Sequence, residues 1–313
     1  MDITALTDFR KRIIGNCSKV IKGKEPELFE VLVCFLCSGH ILLEDVPGTG
    51  KTMLLRTFAK TMGGSFKRVQ FTPDVLPSDL TGINYYNQKL GDFQFRPGPL
   101  FANMVLADEL NRATPRTQSS LLEAMAERQI TVDGVTHPMA EPFMIMATQN
   151  PLETHGTFPL PESQTDRFFM RFSLGYMTKD EELSVIEGRD TLDILDELTQ
   201  QTTLDEIAML KSMCRGIEVS KDVAGYLMDI VERTRNDSRI RIGISTRGAI
   251  AAYRAAQASA GLEGRAYAIP EDIRRLAPKV LAHRLSLSGI SATGEDVRIL
   301  DDILQSTPVP LET

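Results

Sequence analysis

The chain has 313 residues, of which 42% are hydrophobic and 25% are charged, and its formal net charge at pH 7 is −7. This length allows a core domain and a smaller second domain, and the composition is typical of a globular protein with a buried core. The acidic balance disfavours non-specific nucleic-acid binding, which requires a basic surface.

The N-terminal and cysteine patterns favour a cytoplasmic protein. The first residues, MDITALTDFRKR, are polar and lack the apolar segment of a signal peptide. The apolar stretch 29–43 is interrupted and shorter than the roughly 20 residues that span a bilayer. Cys34 and Cys37 form a C-x-x-C within an apolar run at helical spacing, with no second pair at zinc-ligand distance. We interpret them as buried thiols in a reducing compartment, and we expect no membrane segment.

The first half of the chain alternates between segments with helical and strand-like hydrophobic patterns. The helical segments cover 4–22, 26–37 and 51–62. The strand-like segments cover 40–44, 68–71, 104–107 and 143–147. Such alternation predicts an α/β fold, with a parallel sheet and helices on both of its faces.

Two segments interrupt this alternation, and the pattern changes towards the C-terminus. Residues 84–95 and 129–137 each have a glycine-containing turn between β-forming residues, which predicts two β-hairpin inserts. Amphipathic helices are predicted over 222–235, 247–260 and 271–285. We therefore predict a core domain over 1–176, a linker over 177–204 that includes a helix around 180–189, and a small all-helical domain over 205–313.

A phosphate-binding loop is predicted between the strand 40–44 and the next helix. The segment DVPGTGKT has the G-x-x-x-x-G-K-[ST] pattern, except that Asp45 replaces the first glycine. Its side chain is expected to point away from the phosphates, which it would otherwise repel. Backbone N–H groups and the helix N-terminus would bind phosphate, Lys51 would bridge the β- and γ-phosphates of ATP, and Thr52 would ligate Mg²⁺. The predicted nucleotide-binding residues of this loop are Gly48, Thr49, Gly50, Lys51, Thr52 and Met53.

Polar residues follow two of the other predicted strands. The run MVLADE ends in Asp108, a candidate for holding Mg²⁺, and Glu109, a candidate for polarising the attacking water. Because consecutive strand residues point to opposite sides, the role of Glu109 requires the strand to end at Asp108 and turn. Asn150 follows the strand 143–147, and its amide is a candidate for orienting that water.

Three arginines are candidates for neutralising charge on the γ-phosphoryl group, either in their own site or in that of a neighbour. Arg167 and Arg171 lie in the segment QTDRFFMR, and Arg247 opens a predicted helix of the second domain.

Together these motifs resemble an AAA+ ATPase, and more narrowly the MoxR family. The resemblance extends over nearly the whole chain. It includes HILLEDVPGTGKT, RVQFTPDVLPSDLTG, LADELNRATPRTQSSLLEAMAERQITVDG, ATQNP, GTFPLPESQTDRFFMR, STRGAIAAYRAAQASA and VLAHRL. MoxR-like sequences commonly have an acidic residue at the position of Asp45. The resemblance implies an α/β core, a helical lid, and a homo-oligomeric ring, usually a hexamer, with ATP at the subunit interfaces.

The resemblance also implies roles for single residues. It makes Lys51 and Thr52 the Walker A pair, and Asp108 and Glu109 the Walker B pair. Asn150 becomes sensor 1, Arg167 the arginine finger and Arg247 sensor 2. Ile21 and Gly23 are expected near the adenine. Arg171 stays an alternative to Arg167. Whether Arg247 serves its own site or a neighbour's is open.

The leading interpretation is ATP-driven remodelling of partner proteins. The resemblance implies chaperone-like action on client proteins, often with partners that carry von Willebrand factor A domains, in metal-cofactor insertion or complex maturation. The alternative is a DNA-directed AAA+ motor or helicase-like protein, which is disfavoured by the acidic net charge and by a second hairpin without lysine or arginine. A P-loop kinase is disfavoured because Glu109 is suited to activating water.

Overall fold

The computed structural model describes residues 3–46, 48–150, 156–188, 191–289, 292 and 294–310. The strands are β1 (Ile41–Glu44), β2 (Phe66–Gln70), β3 (Gly82–Asn87), β4 (Asp92–Pro97), β5 (Met104–Asp108), β6 (Gln129–Val132), β7 (Val135–Pro138), β8 (Met144–Gln149), β9 (Met170–Phe172), β10 (Ile240–Ile242) and β11 (Ser286–Leu287). The helices are α1 (Thr4–Cys17), α2 (Glu25–Leu36), α3 (Lys51–Met62), α4 (Pro77–Thr81), α5 (Pro115–Glu127), α6 (Glu162–Thr165), α7 (Lys179–Ile186), α8 (Thr191–Glu197), α9 (Leu204–Arg215), α10 (Lys221–Asn236), α11 (Thr246–Leu262), α12 (Pro270–Leu281) and α13 (Glu295–Ser306).

A five-stranded parallel sheet forms the centre of the core, with the strand order β2-β5-β8-β1-β9. Alternate residues of each central strand contribute to apolar clusters on opposite faces, as Met104 and Leu106 do on one face and Val105 and Ala107 on the other. Helices α1 to α3 cover the first face and α5 covers the second. The predicted α/β fold with both sheet faces buried is therefore confirmed.

The order of the parallel strands determines which loops meet. The carboxyl ends of β5, β8 and β1 are neighbours, so the residues that follow these strands share one edge of the sheet. The residues that precede β9 lie at the opposite edge, because β9 runs parallel to β1 with Ile41 paired to Met170. Strand β9 was not predicted from the sequence, since only three residues form it.

Both predicted hairpins are present, as β3–β4 and β6–β7. Asp133 and Gly134 have φ values of 49° and 81°, which the tight turn of the second hairpin requires. The hairpins contact each other: the ring of Phe95 stacks on His137 with centroids 4.1 Å apart. Tyr86 and Phe93, near the tip of the first hairpin, are exposed.

The C-terminal region is mainly helical, as predicted, and it packs on the core through one continuous apolar cluster that includes residues of α1, α2, α11 and α12. The segment 177–204 includes α7, which coincides with the helix expected around 180–189, and α8, which was not predicted. An antiparallel ribbon of β10 and β11 interrupts the helices; its strands are too short to show a period along the sequence.

Of the two cysteines in the C-x-x-C, Cys34 is buried as predicted, whereas Cys37 is only partly buried. All four cysteines are free thiols. Burial raises the pKa of Cys17 to about 11 and that of Cys214 to about 12, so these thiols are unreactive at neutral pH. Within the described ranges, no helix is long and apolar enough to cross a membrane.

Candidate functional site

The loop between β1 and α3 has the backbone of a phosphate cradle. Gly48 and Gly50 have φ values of 92° and 83°, and a Cβ at either position would meet no atom within 4 Å. Glycine is therefore required here by the left-handed backbone and not by crowding. Helix α3 begins at Lys51, directly after Gly50, so its unpaired N–H groups add to those of the loop. Pro47 lies outside the described residues.

Lys51 lies over this loop. Its Nζ donates to the carbonyl oxygens of Asp45, at 3.2 Å, and Val46, at 3.1 Å. Phosphate oxygens are stronger acceptors for an ammonium group than neutral carbonyls, so this lysine can exchange its partners when a phosphate binds. Thr52 and Met53 follow in the first turn of α3, and both are partly buried. The donors and the backbone shape of this segment fit a polyphosphate.

Asp45 is buried and points into the segment that follows β9. Its carboxylate accepts hydrogen bonds from Ser173 Oγ at 2.6 Å, from the Leu174 N–H at 2.8 Å and from the Gly175 N–H at 3.1 Å. This agrees with the expectation that the carboxylate would be directed away from the phosphates. The residue that replaces the consensus glycine therefore joins the phosphate loop to its neighbouring strand.

The chain turns sharply at the end of β5, as the predicted role of Glu109 requires. The strand ends at Asp108, and Glu109 has φ 57° and ψ 48°, a left-handed conformation that is uncommon for residues other than glycine. Thr148 of β8 holds this turn, because its Oγ1 accepts from the Glu109 N–H at 2.9 Å and donates to Asp108 Oδ1 at 2.7 Å. This role of Thr148 was not predicted from the sequence, although Thr148 directly follows the predicted strand 143–147.

Both carboxylates of the acidic pair have arginine partners. Arg68 of β2 is 2.6 Å from Asp108 Oδ2 through Nη2, and Arg112 is 3.0 Å from Glu109 Oε2 through Nη1. Neither arginine was predicted from the sequence to belong to the site. Arg68 could have been found only from the strand order, because it contacts Asp108 through the pairing of β2 with β5.

The polar groups of three strands meet at this edge. Strand β8 lies between β1 and β5, so Asn150 directly follows the strand that separates the phosphate loop from Asp108. Neighbouring strands are about 4.8 Å apart, so β1 and β5 are separated by roughly 10 Å. The arrangement suits a metal ion held between Thr52 on one side and Asp108 on the other.

The two residues expected near the adenine lie in the turn between α1 and α2. Ile21 is buried, and Gly23 is exposed with φ 67°. The next residue, Lys24, donates from Nζ to the carbonyl oxygens of Leu174, at 2.6 Å, and Tyr176, at 3.1 Å. This turn is therefore tied to the same segment that Asp45 binds, beside the phosphate loop.

The three candidate arginines differ in their surroundings. Arg167 is exposed, and its Nη1 donates to the Leu122 carbonyl at 2.8 Å. Arg247, with 61% of its side chain exposed, lies 3.9 Å from Asp166 Oδ2. Arg171 is largely buried between Glu44, at 3.6 Å, and Asp296.

Arg167 and Arg247 are not brought together with the phosphate loop of their own chain. Asp166 and Arg167 precede β9, at the amino end of that strand, whereas the loop follows the carboxyl end of the adjacent parallel strand β1. The two arginines therefore lie at the opposite edge of the sheet, near each other.

Comparisons with known proteins agree with this geometry. A family model described as "ATPase family associated with various cellular activities (AAA)" matches residues 40–170, and an AAA lid domain model matches residues 232–303. The chain is 43% identical to the protein YeaC of Bacillus subtilis (strain 168), over 96% of this chain and 95% of that protein. It is 36% identical to Chaperone MoxR1 of Mycobacterium tuberculosis, over 96% and 82% of the two chains.

A solved structure has the same fold along the full chain. The crystal structure of a Cytophaga hutchinsonii protein is 37% identical, with a TM-score of 0.91 over 99% of this chain and 97% of that one.

Proposed function

The chain belongs to the MoxR family of AAA+ ATPases. From this premise we propose that it hydrolyses ATP with Mg²⁺ at a site shared between two copies of the chain. This hydrolysis drives the remodelling of partner proteins. The observation that carries the proposal is the meeting of the phosphate loop, Asp108, Glu109 and Asn150 at one edge of the sheet. These are the groups that binding a triphosphate and activating a water require.

Each residue of this edge has one task in the proposed reaction. The loop amides and Lys51 bind the phosphates of ATP, and Thr52 and Asp108 hold Mg²⁺, which when bound neutralises charge on the phosphate oxygens. Glu109 accepts the proton of the attacking water, and the Asn150 amide orients that water. The left-handed turn at Glu109 supports its role, because it directs the backbone out of the strand immediately after Asp108.

The arginine that stabilises the transition state comes from a neighbouring copy. Strand β1 has four residues, which span roughly 13 Å at about 3.3 Å each. Arg167 and Arg247 lie beyond the amino end of β1, whereas the phosphate loop follows its carboxyl end. Contact with the ATP of their own chain is therefore disfavoured for both arginines. We assign Arg167 as the finger in preference to Arg171, whose guanidinium is occupied by two carboxylates, and we propose that Arg247 also serves the neighbour.

This division of the site implies a closed ring. A contact that joins one edge of a subunit to the opposite edge of the next is heterologous, and such contacts close into rings when the rotation allows. In this family the ring is usually a hexamer, and we propose the same here. We place the ring in the cytoplasm, where it acts on protein clients together with a von Willebrand factor A domain partner. The name of the relative Chaperone MoxR1 supports a chaperone-like role.

Steady-state ATPase assays with three variants test the catalytic part of the proposal. Lys51→Ala should lose ATP binding, whereas Glu109→Gln should bind ATP and fail to hydrolyse it. Arg167→Ala should bind ATP and lose activity by about a thousandfold or more, the range found for arginine fingers. Arg233→Ala, which removes an exposed lid arginine outside the site, is the matched control and should leave activity unchanged. A Glu109→Gln protein that turns over like the wild type would refute the assignment.

Mixing two inactive variants tests the sharing of the site between copies. A Lys51→Ala subunit still supplies Arg167, and an Arg167→Ala subunit still binds ATP. Random 1:1 rings should therefore recover about a quarter of the sites, because each working site needs one subunit of each kind in the correct order. Absence of recovery would contradict a finger supplied by a neighbour. Size measurements with and without ATP, and pull-downs with Glu109→Gln, then test the ring and its partners.

A further inference from the structure

A buried arginine at the end of the lid helix α12 contacts the segment that carries the proposed finger. Arg284 has only 3% of its side chain exposed. Its Nε donates to Asp166 Oδ1 at 2.8 Å, and its Nη2 donates to the Phe168 carbonyl at 2.7 Å. Burying a guanidinium costs several kcal/mol unless it is paired and hydrogen-bonded, so these contacts are needed to keep this group inside.

The residue before Arg284 binds the same turn. His283 Nε2 is 3.1 Å from the Phe168 carbonyl oxygen, and the His283 carbonyl accepts from Thr165 Oγ1 at 3.4 Å. The lid is therefore bonded to residues on both sides of Arg167. The Arg167 side chain donates to the Leu122 carbonyl of the core.

Asp166 connects the two arginines that are proposed to serve the neighbour. One carboxylate oxygen binds the buried Arg284 at 2.8 Å, and the other lies 3.9 Å from the exposed Arg247. The first contact is short and shielded from solvent, and the second is long and solvated. Arg247 can therefore leave Asp166 at little cost, whereas Arg284 holds it in place.

We propose that Arg284 is a positioning residue for Arg167, so that the orientation of the lid in one subunit sets the delivery of the finger to the ATP of the next subunit. This inference rests on the proposed function of Arg167. Arg284 binds residues at the amino end of β9, opposite the phosphate loop of its own chain, and it acts by fixing the turn 165–169 against the end of α12. A rotation of the lid moves this turn with it, because at least four hydrogen bonds join the two.

Kinetics of Arg284→Lys test the inference. Lysine keeps the charge and loses the planar fork that binds a carboxylate and a carbonyl together. We expect kcat to fall at least tenfold, with KM and the affinity for a fluorescent ATP analogue changed less than about twofold. The control is Arg265→Lys, which weakens another partly buried lid ion pair, that of Arg265 with Asp272 at 2.7 Å, away from the turn. It should lower the melting temperature without lowering kcat.

Two further measurements separate positioning from general destabilisation. Arg284→Lys subunits should be rescued by mixing with Lys51→Ala subunits, because their own ATP site is intact. The double variant Arg167→Ala/Arg284→Lys should be no slower than Arg167→Ala alone, since the finger is already absent. Loss of nucleotide affinity, no rescue, or additive losses would overturn the inference.

The outcomes distinguish this inference from the proposal on which it rests. If Arg167→Ala is inactive and Arg284→Lys has the kcat of the wild type, the positioning role is wrong and the finger stands. If Arg167→Ala is fully active, the finger itself is wrong. Should Arg284→Lys fail to fold, Asp166→Asn keeps one oxygen acceptor for Arg284, removes the charge and replaces the other oxygen by an NH2 donor. It should also lower kcat at unchanged KM, and unchanged kcat would refute the role.

Discussion

Replacing Asp45 by glycine would complete the P-loop consensus, yet we expect it to destabilise the protein. The substitution removes the acceptor of three hydrogen bonds, of which the one from the Leu174 N–H is buried. A buried donor without a partner costs about 1–3 kcal/mol. The donors on Ser173 and Gly175 are less buried and can bind water, so each loses about 0.5–1 kcal/mol. The new glycine adds about 0.5–1 kcal/mol of backbone entropy.

These terms sum to a loss of about 2.5–6 kcal/mol in the free energy of unfolding. Urea denaturation of the wild type and Asp45→Gly measures it directly. ATP affinity should also fall, because Asp45 joins the loop to the segment that Lys24 ties to the turn of Ile21 and Gly23. Asp45→Asn is the control: it keeps one oxygen acceptor and should lose about half as much. A glycine variant as stable as the wild type, with equal or tighter ATP binding, would refute this reasoning.

Three further predictions follow from single contacts. Thr148→Val removes the hydrogen bonds to Asp108 and to the Glu109 N–H. ATPase activity should fall at least tenfold while ATP binding is retained. Unchanged turnover in a coupled assay would contradict the role of this turn. Arg68→Gln removes an ion pair that would compete with the proposed Mg²⁺ for Asp108. The Mg²⁺ concentration for half-maximal activity should fall a few-fold in a titration, and an increase would contradict the competition. His40 accepts a hydrogen bond from a backbone N–H at Nδ1, and burial lowers its pKa from 6.5 to about 4. Below pH 6.5 the unfolded chain binds a proton that the folded chain does not, so the free energy of unfolding should fall by up to about 3 kcal/mol between pH 6.5 and 4. Urea titrations at pH 7 and 5 should show a smaller pH effect in His40→Gln than in the wild type.

Local chemistry explains why much of the site could be predicted from the sequence. Helix α3 has the predicted bounds because a left-handed glycine flanks each of its ends, Gly50 before it and Gly63 after it. The end of β5 was predictable because an apolar run stops at two carboxylates. In both places the signal lies within a few neighbouring residues, where pattern and propensity are informative.

The contacts that the sequence did not reveal join residues far apart in the chain. Arg68 meets Asp108 only because β2 pairs with β5. Arg171 of β9 is occupied by Glu44 because β9 pairs with β1, and by Asp296 because α13 of the lid reaches Arg171. No periodicity predicts such a pairing, since it depends on strand order and on the docking of the lid. The sequence could therefore name candidate arginines, and the surroundings that distinguish them had to come from the fold.

The lid contacts have a consequence for how a ring of these subunits would work. The segment after β9 is bound on one side by Asp45 of the phosphate loop, and the turn before β9 is bound by Arg284 of the lid. Strand β9 thus connects the proposed nucleotide-binding residues of one subunit to the arginine that is proposed to serve the next. Because β9 has three residues and lies at the edge of the sheet beside β1, we expect a displacement of the segment at one of its ends to move the turn at the other. Such a displacement would couple the nucleotide state of one subunit to the finger that is proposed to serve its neighbour.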